Sequence, residues 1–171
     1  MTGATATDCV IDDEADRLFA LVSRQFQRSL TELDRVDQLD TTRGALFDHY
    51  YLCRQLERVA DLAVDIAALV ERQPHPPGEE RETAFRALAR DARNAVTEAT
   101  SVTLADTSRE AAFRARDMAA DAISEADRLD RELYADSGEA YVWSKLLEKL
   151  TRTAEHGRNL AELGIRHCLR E

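Results

Sequence analysis

Leu56-Glu57-Arg58-Val59-Ala60-Asp61-Leu62-Ala63-Val64-Asp65-Ile66 is the stretch that decides how this chain folds. Its apolar residues recur at intervals of three and four, the period of an amphipathic helix. Glu57 and Asp61 stand four residues apart, so they share one edge of that helix. Like charges at this spacing cost an isolated helix about 0.2–0.5 kcal/mol, and something must make the cost tolerable. A weaker copy, Leu150-Thr151-Arg152-Thr153-Ala154-Glu155-His156-Gly157-Arg158-Asn159-Leu160, follows 94 residues later. Glu14-Ala15-Asp16-Arg17-Leu18 likewise recurs 111 residues on, as Glu125-Ala126-Asp127-Arg128-Leu129. Two signatures in the same order predict two related halves, because a recurring unit identifies an architecture better than one segment does.

Helical periodicity extends over almost the whole chain and predicts five helices. The first runs from about Asp13 to Asp37, capped by Asp12 or Asp13, with a stripe of Ala15, Leu18, Phe19, Val22, Phe26, Leu30 and Leu33. The second spans about Thr42 to Gln73, with Leu46, Tyr50, Cys53, Leu56, Ala60, Ala63 and Ala67 facing inward. Three prolines between Gln73 and Gly78 end it and form the clearest linker. The third helix covers Glu79 to Leu104. A capping-box spacing at Thr107-Ser108-Arg109-Glu110 opens the fourth. Asp136-Ser137-Gly138 separates it from the fifth, which runs from Glu139 to Leu169. No segment reads as a strand. The expected fold is all-α: a five-helix antiparallel bundle of two related halves, residues 10–73 and 79–171. The first half lacks a counterpart of the Glu79–Leu104 helix.

Composition narrows the function. The chain has 171 residues, a net charge of −10 and 33% charged residues. Such an acidic surface argues against nucleic acid and against anionic membranes, which both need clustered Lys and Arg. Only Lys145 and Lys149 are lysines, against 21 arginines. Abundant acid with little Lys fits a salt-loving cytoplasm, where self-repulsion under heavy screening keeps a protein in solution. Cys9, Cys53 and Cys168 form no Cys-x-x-Cys pair, so thiolate zinc is not expected. The N-terminus has no apolar signal region, and no run approaches a membrane span. Glycine-rich phosphate loops and nucleophile elbows are absent.

Two readings of the acidic pair stand side by side. Arg54 and Arg58 flank it and form a solvated face with Glu57 and Asp61 through i,i+3 pairs, each worth little. Alternatively, two carboxylates on successive turns hold a hard or borderline cation, whose charge removes the repulsion. His49, His75 and His156 read as packing or surface residues. Glu14, Asp16, Glu125 and Asp127 read mainly as face charges. Tyr50, Phe47 and Trp143 read as core.

Gln55-Leu56-Glu57-Arg58-Val59-Ala60-Asp61-Leu62-Ala63-Val64-Asp65-Ile66-Ala67 resembles the signature of PhoU proteins, regulators of phosphate uptake built from three-helix bundles with an E/D-x-x-x-D motif. Asp13 to Phe26 and Phe47-Asp48-His49-Tyr50-Tyr51 are similar to the matching segments of archaeal PhoU-like proteins. The resemblance implies iron or zinc at Glu57 and Asp61, and at Glu155 in the second motif, where Thr151 replaces the first carboxylate. It implies a non-enzymatic cytoplasmic adaptor of phosphate-starvation signalling, touching the cytoplasmic subunit of a phosphate ABC transporter and a signalling protein. The missing helix adds the expectation of a homodimer. A purely structural interaction bundle and a carboxylate-bridged metalloenzyme are the competing readings. The second is disfavoured, because no Glu-x-x-His pair appears on facing helices.

Overall fold

The computed structural model describes residues 4–32, 34–72, 78–105, 108–135 and 140–169, and every element among them is helical. In order these are α1 (Ala4–Thr31), α2 (Asp34–Gln38), α3 (Arg43–Glu71), α4 (Glu79–Leu104), α5 (Arg109–Ala135) and α6 (Ala140–Cys168). The all-α expectation holds, but the described residues form six helices where periodicity predicts five. Among them, none is long and apolar enough to cross a membrane.

The extra element is the five-residue α2, too short to carry a periodic signal. A turn follows it, in which Leu39 N–H donates to the Val36 carbonyl and Asp40 N–H to the Asp37 carbonyl. Asp40 takes φ 46°, a left-handed conformation that Asp tolerates better than bulkier residues. α1 begins well before the expected start, so Asp12 and Asp13 lie inside the helix and do not cap it. Thr42 caps α3, its Oγ1 accepting the Ala45 N–H at 3.1 Å. Ser108 receives the Ala111 N–H at α5; Thr107, Leu33, His75 and the Asp136-Ser137-Gly138 break lie outside the described residues. Glu79, Glu80 and Glu82 place negative charge on the first turn of α4, which suits the helix dipole.

The chain divides into two compact units, Met1–Val64 and Asp65–Glu171. In the second, α4, α5 and α6 all pack on one another. Each is about 40 Å long at 1.5 Å per residue, and the short connections force antiparallel neighbours. The seam is made of small side chains. Ala92, Ala95 and Ala99 on α4 and Ala112, Ala115 and Ala119 on α5 are essentially inaccessible, as are Ala154 and Ala161 on α6. Leu88, Leu160 and Leu163 fill the larger spaces. At one end Phe85 meets Trp143 edge-on at 5.5 Å. The last turns of α3 belong to this unit: Ile66 packs on its core, and Asp65 accepts from Lys149 Nζ at 2.5 Å.

The first unit is built differently. Phe26 stacks on Tyr50 at 5.0 Å, and Phe19 approaches the same ring at 5.8 Å. Phe26 also meets Phe47 at 5.9 Å. Contacts that climb α1 while descending α3 make the two helices antiparallel. Arg43 Nε donates to the Ser29 carbonyl at 3.1 Å, tying the start of α3 to the end of α1. Two stripe assignments need correction. Leu18 and Leu30 are 62% and 59% exposed; Leu18 lies about 100° around α1 from Phe19, off the face that meets α3. On α3, Ala63 is exposed, and the most enclosed positions are Asp48, Leu52, Gln55 and Leu62. Phe47 keeps its aromatic contacts while remaining 41% exposed.

A Cβ at Gly157 would lie 3.1 Å from the Val96 backbone nitrogen and 3.2 Å from the Ala95 carbonyl carbon. Gly157→Leu should therefore cost about 1–3 kcal/mol through overpacking. Gly78→Ala, with nothing near its Cβ, should change stability by under about 0.5 kcal/mol. Urea denaturation followed by circular dichroism measures both, and equal midpoints would contradict the seam.

Candidate metal centre

The ring contacts between α1 and α3 set the register of everything near them. Asp16 lies one turn before Phe19, and Glu57 lies two turns after Tyr50. With Phe19 held against Tyr50, Asp16 is carried to the edge of α3 where Glu57 and Asp61 stand. One carboxylate oxygen from each of the three lies within 4.8 Å of the other two. From the sequence alone Asp16 reads mainly as a face charge. Its recurrence in Glu125-Ala126-Asp127 was the only hint of more.

The three differ in environment. Asp16 is exposed and Asp61 partly so, while the Glu57 side chain is only 12% accessible. Glu57 Oε2 is buried without a hydrogen-bond partner. Arg58 Nε approaches that oxygen at 3.5 Å, an ion-pair distance too long for a hydrogen bond. The same guanidinium donates from Nη1 to Asp61 Oδ2 at 2.9 Å. Desolvation is the main influence on the Glu57 carboxyl and pushes it above its ordinary range. Asp61 and Asp16 push it further up, and Arg58 and Arg54 oppose them.

Two Asp and one Glu, the Glu carrying a buried oxygen without a hydrogen-bond partner, fit a hard or borderline cation. Neither sulfur nor imidazole joins the group. His49 spends its Nδ1 on the Ala45 carbonyl at 2.7 Å, and burial pushes the half-buried Cys53 thiol up, away from the thiolate form.

Glu155 stands apart from this group. It lines a groove of about 410 Å³ in the second unit with Asp127, Asp130, Glu148, Thr151 and Arg152. The sequence offsets pair Asp16 with Asp127, Glu57 with Thr151 and Asp61 with Glu155. The three corresponding positions thus line one groove, with threonine at the central one. Thr151 Oγ1 donates to the Leu147 carbonyl at 2.9 Å, so the hydroxyl turns back to its own helix. Among the described residues, no set of three ligating side chains includes Glu155.

A carboxylate triad spanning two antiparallel helices of an all-helical protein defines the class. Residues 6–70 match the family profile of the PhoU domain, and over this segment the chain is similar to that family. That family comprises phosphate-transport regulators, generally non-enzymatic, that interact with phosphate-transport components. The match contains α2, nearly all of α1 and α3, and all three carboxylates of the triad. No curated protein matches the chain.

A carboxyl held above its ordinary range favours the folded state only when protonated, so the metal-free protein is penalised at neutral pH. Glu57→Gln should then stabilise it by about 1 kcal/mol, the scale of relieving a buried unsatisfied group, or a rise of about 2–4 °C in Tm. The gain should be full above the raised value and vanish as pH falls through it toward the ordinary carboxylate range. Thermal melts in chelator from pH 7 to acid measure this, and a destabilised variant at pH 7 would contradict it.

Proposed function

We propose that the chain is a non-enzymatic PhoU-like adaptor of phosphate uptake and phosphate-starvation signalling, with a cation held by Asp16, Glu57 and Asp61. The observation that carries the reading is the convergence of three carboxylates, one of which, Glu57, has a buried oxygen without a hydrogen-bond partner. Iron and zinc are the ions the family resemblance suggests. When bound, the ion supplies positive charge that neutralises the triad and an acceptor for further oxygen ligands. The chain's own residues do the rest. Asp16 links the site to α1, Glu57 and Asp61 link it to α3, and the ring contacts hold those helices in register. Loading would therefore clasp the hairpin, which suits a relay between a transporter's cytoplasmic subunit and a signalling protein. A cytoplasmic setting and self-association through the incomplete first half complete this reading.

One observation favours a second reading, a structural helical module without metal. Arg58 already bridges Asp61 and reaches Glu57, so a guanidinium occupies part of the place an ion would take. Such a half-exposed pair is worth about 0.2–1 kcal/mol, which a divalent cation can displace.

Elemental analysis and calorimetric titration with Zn²⁺ and Fe²⁺ decide between them. Under the metal reading, Asp16→Asn/Glu57→Gln/Asp61→Asn loses bound metal while helix content stays constant. Arg58→Ala should tighten binding by roughly twofold to fivefold, because the ion no longer displaces a cation. Unchanged metal content in the triple variant, or no metal in the wild type, leaves the structural module. Cells lacking the chain should lose the adjustment of phosphate uptake to external phosphate; an unaltered response would reject the regulatory role.

A further inference from the structure

The sequence offsets allow the two units to be compared position by position, and α1 differs from α5 on one flank. Leu129 of α5 is 5% exposed, in a unit where α4 packs on both α5 and α6. Its counterpart on α1, Leu18, is 62% exposed. Three residues on, α5 carries Glu132, with its side chain 59% accessible, where α1 carries Leu21, 48% exposed. The flank is thus bare where the second unit is covered, and apolar where the second unit is charged. Contiguous exposed leucines of this kind mark contact surfaces.

The rest of the flank says what covers it. Glu14, Leu18, Leu21, Gln25 and Arg28 follow one another at alternating spacings of four and three, the seam of a two-helix coil. Its N-terminal end is acidic and its C-terminal end is basic. Turned about a two-fold axis at Leu21, the stripe is complementary to itself. Leu21 meets Leu21, Leu18 lies under the aliphatic stem of Arg24, and Glu14 faces Arg28. Arg28 is free to turn, because its bonds to Glu32 at 3.0 Å lie on an exposed face.

We infer that this flank of α1 docks antiparallel against the same flank of a second copy of the chain. The inference rests on the self-association proposed above and assigns it a surface and a register. Leu18 is two positions on from Asp16, which places them roughly 160° apart around α1. The dimer therefore leaves the carboxylate triad open. A single helix pair is a small interface, so association is weak and concentration-dependent.

Sedimentation equilibrium of the full chain from about 5 to 300 μM tests this, with the range set by weak interfaces of this size. The wild type should pass from monomer to dimer. Leu18→Glu/Leu21→Glu should stay monomeric, with helix content and metal content unchanged. Glu14→Arg and Arg28→Glu should each weaken association about threefold to tenfold, and the double exchange should restore it. Restoration is specific to the antiparallel register, and both positions are exposed, so folding does not confound it. A wild type that stays monomeric throughout overturns self-association itself and leaves the flank to a helix from another protein. A wild type that dimerises regardless of the leucine variant, or a double exchange that fails to restore, overturns this surface alone.

Discussion

Close approach of α4, α5 and α6 across alanine and glycine is the constraint on which the second unit depends. An alanine buries little apolar area, so few kilocalories come from any single one. What it permits is proximity. At that range Thr103 Oγ1, which bonds to the Ala99 carbonyl of its own helix, also reaches the Leu160 carbonyl of α6 at 3.2 Å. Dispersion contacts accumulate along the full length of the helices, and Gly157 and Gly164 mark where α6 comes closest to α4. A seam of this type tolerates almost no added volume, and it makes the unit a rigid support. The final turns of α3 rest on that support through Ile66 and through Asp65, held by Lys149, one of the two lysines in the chain.

The first unit meets a different constraint. Phenylalanine and tyrosine rings space α1 from α3, and ring packing is strongly directional, with each pair worth about 0.5–1.5 kcal/mol beyond its area. Direction is what the site requires. Asp16 is too exposed to be positioned by its own surroundings, so its place beside Glu57 depends on Phe19 and Phe26 seating against Tyr50. The costly group, the buried carboxylate of Glu57, lies on the same helix as Tyr50, two turns away. The rings stabilise the arrangement, and the acidic site strains it.

Long helices were legible because each carries seven or eight turns of amphipathic signal. The bounds of α4 match the expected span, since a proline-rich linker and a cluster of first-turn acids announce its start. α2 was not legible, as five residues hold no period. The inward face of α3 was misjudged because Asp48 and Gln55 occupy enclosed positions that a hydrophobicity pattern assigns to solvent. Leu18 departs from its stripe for the converse reason: periodicity marks a leucine as apolar-facing without saying which surface it faces. Glu57 and Asp61 were legible as neighbours because one helix fixes their spacing. Asp16 was not, because its partners lie on another helix, and only tertiary register brings them together.

Comparison of paired positions separates chemistry from scaffolding. The triad and the groove of the second unit both keep an acid at the first position, Asp16 or Asp127, and an acid at the third, Asp61 or Glu155. They differ at the second, which in the first unit is the desolvated one. Replacing a buried carboxylate by threonine removes an unsatisfied charge, and the hydroxyl of Thr151 is satisfied within its own turn. The second unit therefore lacks the expensive group at this position. Had Glu57 no role beyond packing, the same exchange would relieve the first unit too. The first unit keeps that carboxylate beside Asp16 and Asp61, which is the arrangement on which the proposed ion-binding role rests.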